Sequence, residues 1–201
     1  MTRVHYDRER WDYEAHFRDF PWHDSWIERP RLLASAVALT LGSPDSVCDP
    51  ACVDGSVLIQ ANSLRPIKRA VLGDISKNTL KTILPKNLPF EDFTVLQNDA
   101  FDTLNSLESV DAIVLTEILE HIENPDDLLM LAHNKARWLV ASSPIVRAGV
   151  DDHTMQHVWS FDMDGYREML EGAGWTPMFW GTANCANHPY TDGFQVWGCE
   201  A

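Results

Sequence analysis

Acids recur in one kind of place along this chain, where an apolar run stops. Val47-Cys48 ends on Asp49, Ala70-Val71-Leu72-Gly73 on Asp74 and Val95-Leu96-Gln97-Asn98 on Asp99, while Ile113-Val114-Leu115-Thr116 leads straight into Glu117. One such acid is an ordinary turn residue or helix cap. Four in succession form a constellation, because the strands of a parallel sheet present their carboxyl ends to one crevice. There Asp74 is placed to accept both hydroxyls of a ribose, and Asp99 with the backbone of Ala100 to meet an adenine amino group. The turn Asp49-Pro50-Ala51-Cys52-Val53-Asp54-Gly55 offers carboxylates and backbone groups to a zwitterionic amino-acid end. This density of negative charge would repel a pyrophosphate and attract a sulfonium cation.

Directly after Thr116 the chain reads Glu117-Ile118-Leu119-Glu120-His121. On a helical path Glu117, Glu120 and His121 stand at i, i+3 and i+4 and project from one face. Two carboxylates and an imidazole so placed bind a divalent cation or take a proton from a hydroxyl. Two more imidazoles stand in Asp151-Asp152-His153-Thr154-Met155-Gln156-His157, in a loop that follows the fifth strand and shares its rim. His121, His153 and His157 are therefore candidate general bases, with a plain capping role for the loop as the alternative.

The elements that must hold these residues follow from periodicity and stop signals. Pro30 at a first turn, then Leu32, Leu33, Ala36, Val37 and Leu41 with Gly42 beyond, predicts a helix. Strands are expected over 46–49, 69–74, 93–97, 111–116 and 138–142, with helices after the first, second and fourth. A helix over about 162–173, closed by Gly174, precedes two strands at 175–181 and 193–199 joined by a polar loop. The order specifies an α/β fold: a doubly wound, mostly parallel, seven-stranded Rossmann-like sheet finished by a C-terminal antiparallel hairpin.

With these motifs in place, the sequence resembles the class I S-adenosylmethionine-dependent methyltransferases from about residue 30 onward. Residues 49–55 resemble their glycine-rich first motif, Gly73-Asp74-Ile75-Ser76 the second and Asn98-Asp99-Ala100 the third. Val53 stands where a glycine is normal, and a β-branched residue resists positive φ. The resemblance implies S-adenosylmethionine as cofactor. Asp49, Ala51, Cys52, Asp54 and Gly55 would meet its amino-acid end, Asp74 and Ile75 its ribose, and Asn98, Asp99 and Ala100 its base, with Thr116 and Glu117 bordering it. A nicotinamide-binding fold is the rival, but it calls for more glycine at 51 and 53 and leaves Asp99 without a role.

Glu-x-x-Glu-His is similar to the pattern of ubiquinone-type O-methyltransferases and of small-RNA 2′-O-methyltransferases, where it holds Mg²⁺ with a later histidine. That implies Glu117, Glu120, His121 and His153 as metal ligands, with His157 a second candidate for the last position. The pattern also occurs in this class without a metal, with Glu117 beside the cofactor and His121 packed. Thr116-Glu117-Ile118-Leu119 stands where enzymes that methylate exocyclic base amines carry Asn/Asp-Pro-Pro-Tyr. The expected reaction is methylation of a small-molecule hydroxyl. The alternatives are RNA 2′-O-methylation and a non-catalytic S-adenosylmethionine-binding regulatory module, the latter favoured by Val53.

Composition narrows the partners. A length of 201 residues suits one domain. Its first 29 residues are expected to form an aromatic-rich cap or lid segment (Tyr6, Trp11, Tyr13, Phe17, Phe20, Trp22, Trp26) before a cofactor-binding domain over 30–201. The net charge of −14 opposes binding to phosphate backbones, so a small-molecule substrate is expected and nucleic acid disfavoured. No apolar run spans a bilayer, the opening residues carry no signal core, and four scattered cysteines make no disulfide scaffold. These features imply a cytoplasmic protein, as a monomer or a homodimer.

Overall fold

The run Val110–Thr116 is buried along most of its length because it has a strand on each edge and helices over each face. Around it the computed structural model describes residues 3–5, 29–82, 84–146, 157–184 and 193–201. The chain begins with β1 (Arg3–His5), α1 (Arg29–Leu41), β2 (Ser46–Asp49), α2 (Ser56–Leu64) and β3 (Arg69–Gly73). It continues through α3 (Lys77–Thr82), β4 (Asp92–Leu96), α4 (Ala100–Asn105), β5 (Val110–Thr116), a 3₁₀ turn (Leu119–His121) and α5 (Pro125–His133). β6 (Ala136–Pro144), β7 (Trp159–Phe161), α6 (Met163–Gly172), β8 (Thr176–Ala183) and β9 (Phe194–Glu200) complete it.

Seven strands form one sheet in the order β4-β3-β2-β5-β6-β9-β8. β2, β3, β4, β5 and β6 pair in parallel, and β9 runs antiparallel to both β6 and β8. The doubly wound sheet with its terminal hairpin is thus the one expected. The chain winds outward from β2 to β4, then returns to β5 on the other side of β2. That reversal opens a crevice at the carboxyl ends of β2 and β5, where such sheets bind ligands.

Side-chain alternation divides the interior into two layers. Ile113 and Leu115 face Leu104, Leu128, Leu170 and Trp175 of the α4–α6 side, whereas Ala112 and Val114 face Ala36, Leu39 and Leu58 of the α1–α2 side. No helix among the described residues is long and apolar enough to cross a membrane. Of the expected lid, residues 1–2 and 6–28 lie outside the described residues. Residues 3–5 form β1, which pairs with β7 in a separate two-stranded sheet. Three-residue strands show no periodicity, so the sequence carries no mark of this pair.

Gly42 ends α1 for a reason other than the expected one. The left-handed residue is Ser43, with φ 51°. A Cβ on Gly42 would run into the ring of Trp138, whose indole N–H donates to the Ala38 carbonyl at 3.1 Å. Gly42→Ala should therefore lower stability by about 1–3 kcal/mol, the usual cost of overpacking. Gly172→Ala, where an added Cβ meets nothing within 4 Å, should not. Urea denaturation of both variants checks this.

Candidate functional site

The loop after β2 is stitched to the end of β3. Cys52 N–H donates to the Gly73 carbonyl at 2.8 Å, and Val53 N–H donates to Oδ2 of Asp74 at 3.0 Å. Gly55 N–H closes back on the Cys52 carbonyl at 2.7 Å, and Gly55 takes φ 70° as it enters α2. Val53 itself sits in the left-handed region at φ 48°. The conformation that a β-branched side chain resists is therefore adopted, held by the hydrogen bonds around it. Strain of this kind costs on the order of 1–3 kcal/mol and gathers at ligand sites.

Asp74 follows β3 directly and is buried; its Oδ1 accepts from Ser76 N–H at 2.8 Å. Ser76 in turn caps α3 through Thr79 N–H at 3.0 Å. Asp99 caps α4 by accepting from Asp102 N–H at 2.8 Å, which is the bland role open to it. Asn98 is half-buried beside it and Ala100 is buried, while Ile75 stands 42% exposed on the same rim. Asp54 accepts from Ser56 N–H at 2.9 Å at the head of α2.

Asp49 is the electrostatic centre of this loop. Burial pushes its carboxyl up to about 7, with Asp74 and Asp54 adding to the rise and the Ala51 N–H and Arg31 opposing it. Burial also pushes the Cys48 and Cys52 thiols well above their ordinary range, with Asp49 adding to each. Both are un-ionised at neutral pH and act as apolar wall.

Glu117 does not continue into a helix. Its φ is 54°, and the helical turn that follows contains only Leu119–His121. The expected single face of Glu117, Glu120 and His121 is therefore split in two. Glu117 accepts from the Ser142 hydroxyl at 2.7 Å and lies 3.9 Å from Nε of Arg31 on α1. Sequence reasoning missed Arg31. It is 8% exposed, with its guanidinium 5.6 Å from the Phe194 ring centre. Arg29 stands two residues earlier on the same helix, so nothing in the sequence sets Arg31 apart.

Glu120 and His121 join His157 instead, with ligand atoms of all three within 4.8 Å of one another. Glu120 is 1% exposed, and the two imidazoles meet edge to face at 4.8 Å. Val158 N–H donates to the Glu120 carbonyl at 2.8 Å, which holds the His157 segment against the turn. Tyr166 is fully buried nearby; burial, then Glu120 and Glu117, raise its hydroxyl well above its ordinary range. His153 lies outside the described residues.

No protein-family model and no curated protein matches the sequence. Solved structures do share its fold. The 1,6-didemethyltoxoflavin-N1-methyltransferase of Burkholderia thailandensis, with bound 1,6-didemethyltoxoflavin and S-adenosylhomocysteine, aligns with a TM-score of 0.69 at 16% identity, over 92% of this chain and 84% of its own. The magnesium protoporphyrin IX methyltransferase of Synechocystis, with bound S-adenosylmethionine, gives 0.63 at 14% identity over 93% and 94%. The methyltransferase domain of a bacterial CtHen1 gives 0.64 at 13% over 87% and 100%. What is shared at these identities is the fold, the doubly wound sheet of class I S-adenosylmethionine-dependent methyltransferases.

Two expectations follow from the first loop. Val53→Gly relieves the left-handed strain, so thermal unfolding should shift upward by a few degrees. For Asp49, the folded protein keeps a proton up to about pH 7 that the unfolded chain loses near 3.8. Its contribution to stability is thus full below the unfolded value and is lost as pH rises toward the folded one, at up to about 1.4 kcal/mol per pH unit. Asp49→Asn should flatten that fall, and denaturation of both proteins from pH 5 to 8 measures it.

Proposed function

We propose that the protein is an S-adenosylmethionine-dependent methyltransferase acting on a small-molecule hydroxyl. The observation that carries the reading is the pairing of buried Asp49 and Asp74 around the strained Val53 loop at the sheet's reversal point. A carboxyl that burial holds protonated to about pH 7 has a stake in a cationic ligand, because a nearby positive charge offsets the cost of ionising it. A sulfonium compound with an ammonium group fits that demand, and a pyrophosphate does not.

In this assignment Asp49 takes the ammonium, Arg31 the carboxylate and Asp74 the ribose hydroxyls. Ile75 and the Asn98–Ala100 turn border the base, and Thr116 and Glu117 lie beside the methionine portion. Bound here, S-adenosylmethionine supplies an electrophilic methyl group on sulfur. The chain supplies alignment, which accounts for most of the acceleration in such transfers, and a place for the hydroxyl proton. That place is His157 or His121, whose imidazoles share one cluster with the buried Glu120.

The same cluster is the alternative seat of a metal, which would take up the imidazole lone pairs in place of a proton. Glu117 is engaged with Ser142 and Arg31, so the convergent donor set is one carboxylate and two imidazoles. That set suits Mn²⁺ or Zn²⁺ better than Mg²⁺, which favours oxygen ligands. The net charge of −14 keeps nucleic acid the weaker class of acceptor.

Titration calorimetry with S-adenosylmethionine tests the cofactor assignment. Binding in the micromolar range is expected, weakened about 10–100-fold by Asp74→Ala through loss of charged hydrogen bonds. Affinity should also rise as pH rises through about 7, where Asp49 ionises. A wild-type protein that binds no S-adenosylmethionine would overturn the proposal.

A further inference from the structure

β1 and β7 are far apart in sequence, yet they pair, with Arg3 opposite Phe161, Val4 opposite Ser160 and His5 opposite Trp159. The side chains of β1 reach past this pairing. The Arg3 guanidinium forks onto both carboxylate oxygens of Asp126 at the start of α5, with Nη1 donating to Oδ1 at 2.9 Å. It also lies 4.3 Å over the Trp159 ring. His5 Nε2 meets Oε1 of Glu123 at 3.0 Å, and its ring lies 4.6 Å from that of Trp159. The Trp159 indole N–H then donates to the Glu123 carbonyl at 3.1 Å.

Among the described residues these contacts join two stretches of chain. One runs from the 3₁₀ turn into α5 and carries Glu120 and His121. The other runs into β7 and carries His157. The backbone bond from Val158 to Glu120 and the contact of the His121 and His157 rings also link them, and β1 pairs with the strand that follows Val158. As a source of stability the contact is modest. The Arg3 and Asp126 side chains are 27% and 45% exposed, and exposed ion pairs contribute at most about 1 kcal/mol. What a bidentate fork adds is direction, because it fixes the relative position of the two groups it joins.

The geometry points to β1 as a staple: Arg3, assisted by His5, is a positioning residue that sets His157 against Glu120 and His121. Its effect on metal affinity rests on the function proposed above, whereas its effect on the two imidazoles does not. Residues that orient ligands from outside the coordination sphere are worth about 10–100-fold in affinity.

The test compares wild type, Arg3→Ala, Arg3→Lys and His5→Ala. Lys68→Ala serves as control, since it removes an exposed ion pair with Asp45 at the opposite end of the sheet. Imidazole resonances of His121 and His157, Mn²⁺ affinity by electron paramagnetic resonance and thermal midpoints are measured for each. Arg3→Ala should shift both imidazoles and weaken Mn²⁺ binding about 10-fold with only a small fall in midpoint. Arg3→Lys, which keeps the charge without the fork, should fall between. Lys68→Ala should change neither the imidazoles nor the affinity. Unchanged imidazole resonances in folded Arg3→Ala would overturn the staple, and if that variant fails to fold, Arg3→Lys and His5→Ala decide by the same criterion. A wild type that binds no Mn²⁺ would count against the metal reading alone, and the imidazole spectra would still decide.

Discussion

The hydrogen bond from Val53 N–H to the Asp74 carboxylate is the contact on which the rest of the site depends. Together with the bond from Cys52 N–H to the Gly73 carbonyl, it draws the loop after β2 over the end of β3. That closure forces Val53 into the left-handed region and starts α2 at Gly55. It also buries Asp49 beneath the loop, at 4% exposure, where its charge is expensive to form. Strain, burial and charge in this corner therefore have one origin.

A second pivot lies at Glu117. Had the chain continued as a helix from Thr116, three acid–base groups would share one face. The left-handed turn at Glu117 sends its carboxylate toward Ser142 and Arg31, and the following 3₁₀ turn delivers Glu120 and His121 to His157. The rim is thereby divided. In the proposed function Asp49, Arg31 and Glu117 serve the charged ligand, and the imidazoles serve the departing proton. One backbone angle separates binding chemistry from acid–base chemistry.

Most of the fold was legible in the sequence, because buried parallel strands announce themselves as apolar runs ending in acids or turns. β2 was read to the residue, and β3, β4, β5 and β6 to within two at either end. What escaped depends on contacts between residues distant in the chain. β1 is too short to show a period, and its partner lies near the other end of the sequence. Arg31 resembles any solvated helix residue until the fold brings Glu117 and Phe194 to it. Gly42 signalled a helix end correctly, but its space is set by Trp138, about a hundred residues later. The division of Glu117 from Glu120 rests on a positive φ at a residue that normally avoids one.

Val53, which in the sequence favours a non-catalytic S-adenosylmethionine-binding module, sits in a loop held by a hydrogen bond to Asp74. A left-handed valine is strained and persists only where its surroundings over-determine it. Here the strain coexists with a buried Asp74 that holds the loop through Val53 N–H and the next helix through Ser76 N–H. An ionised carboxylate has about four acceptor positions, so anchoring the loop is compatible with receiving hydroxyls from a ligand. Buried Asp49 adds a second cost, one that a cation relieves. Two unfavourable features therefore meet in a single loop, one held in place and the other heightened by Asp74, and a cationic ligand of the kind proposed offsets the second.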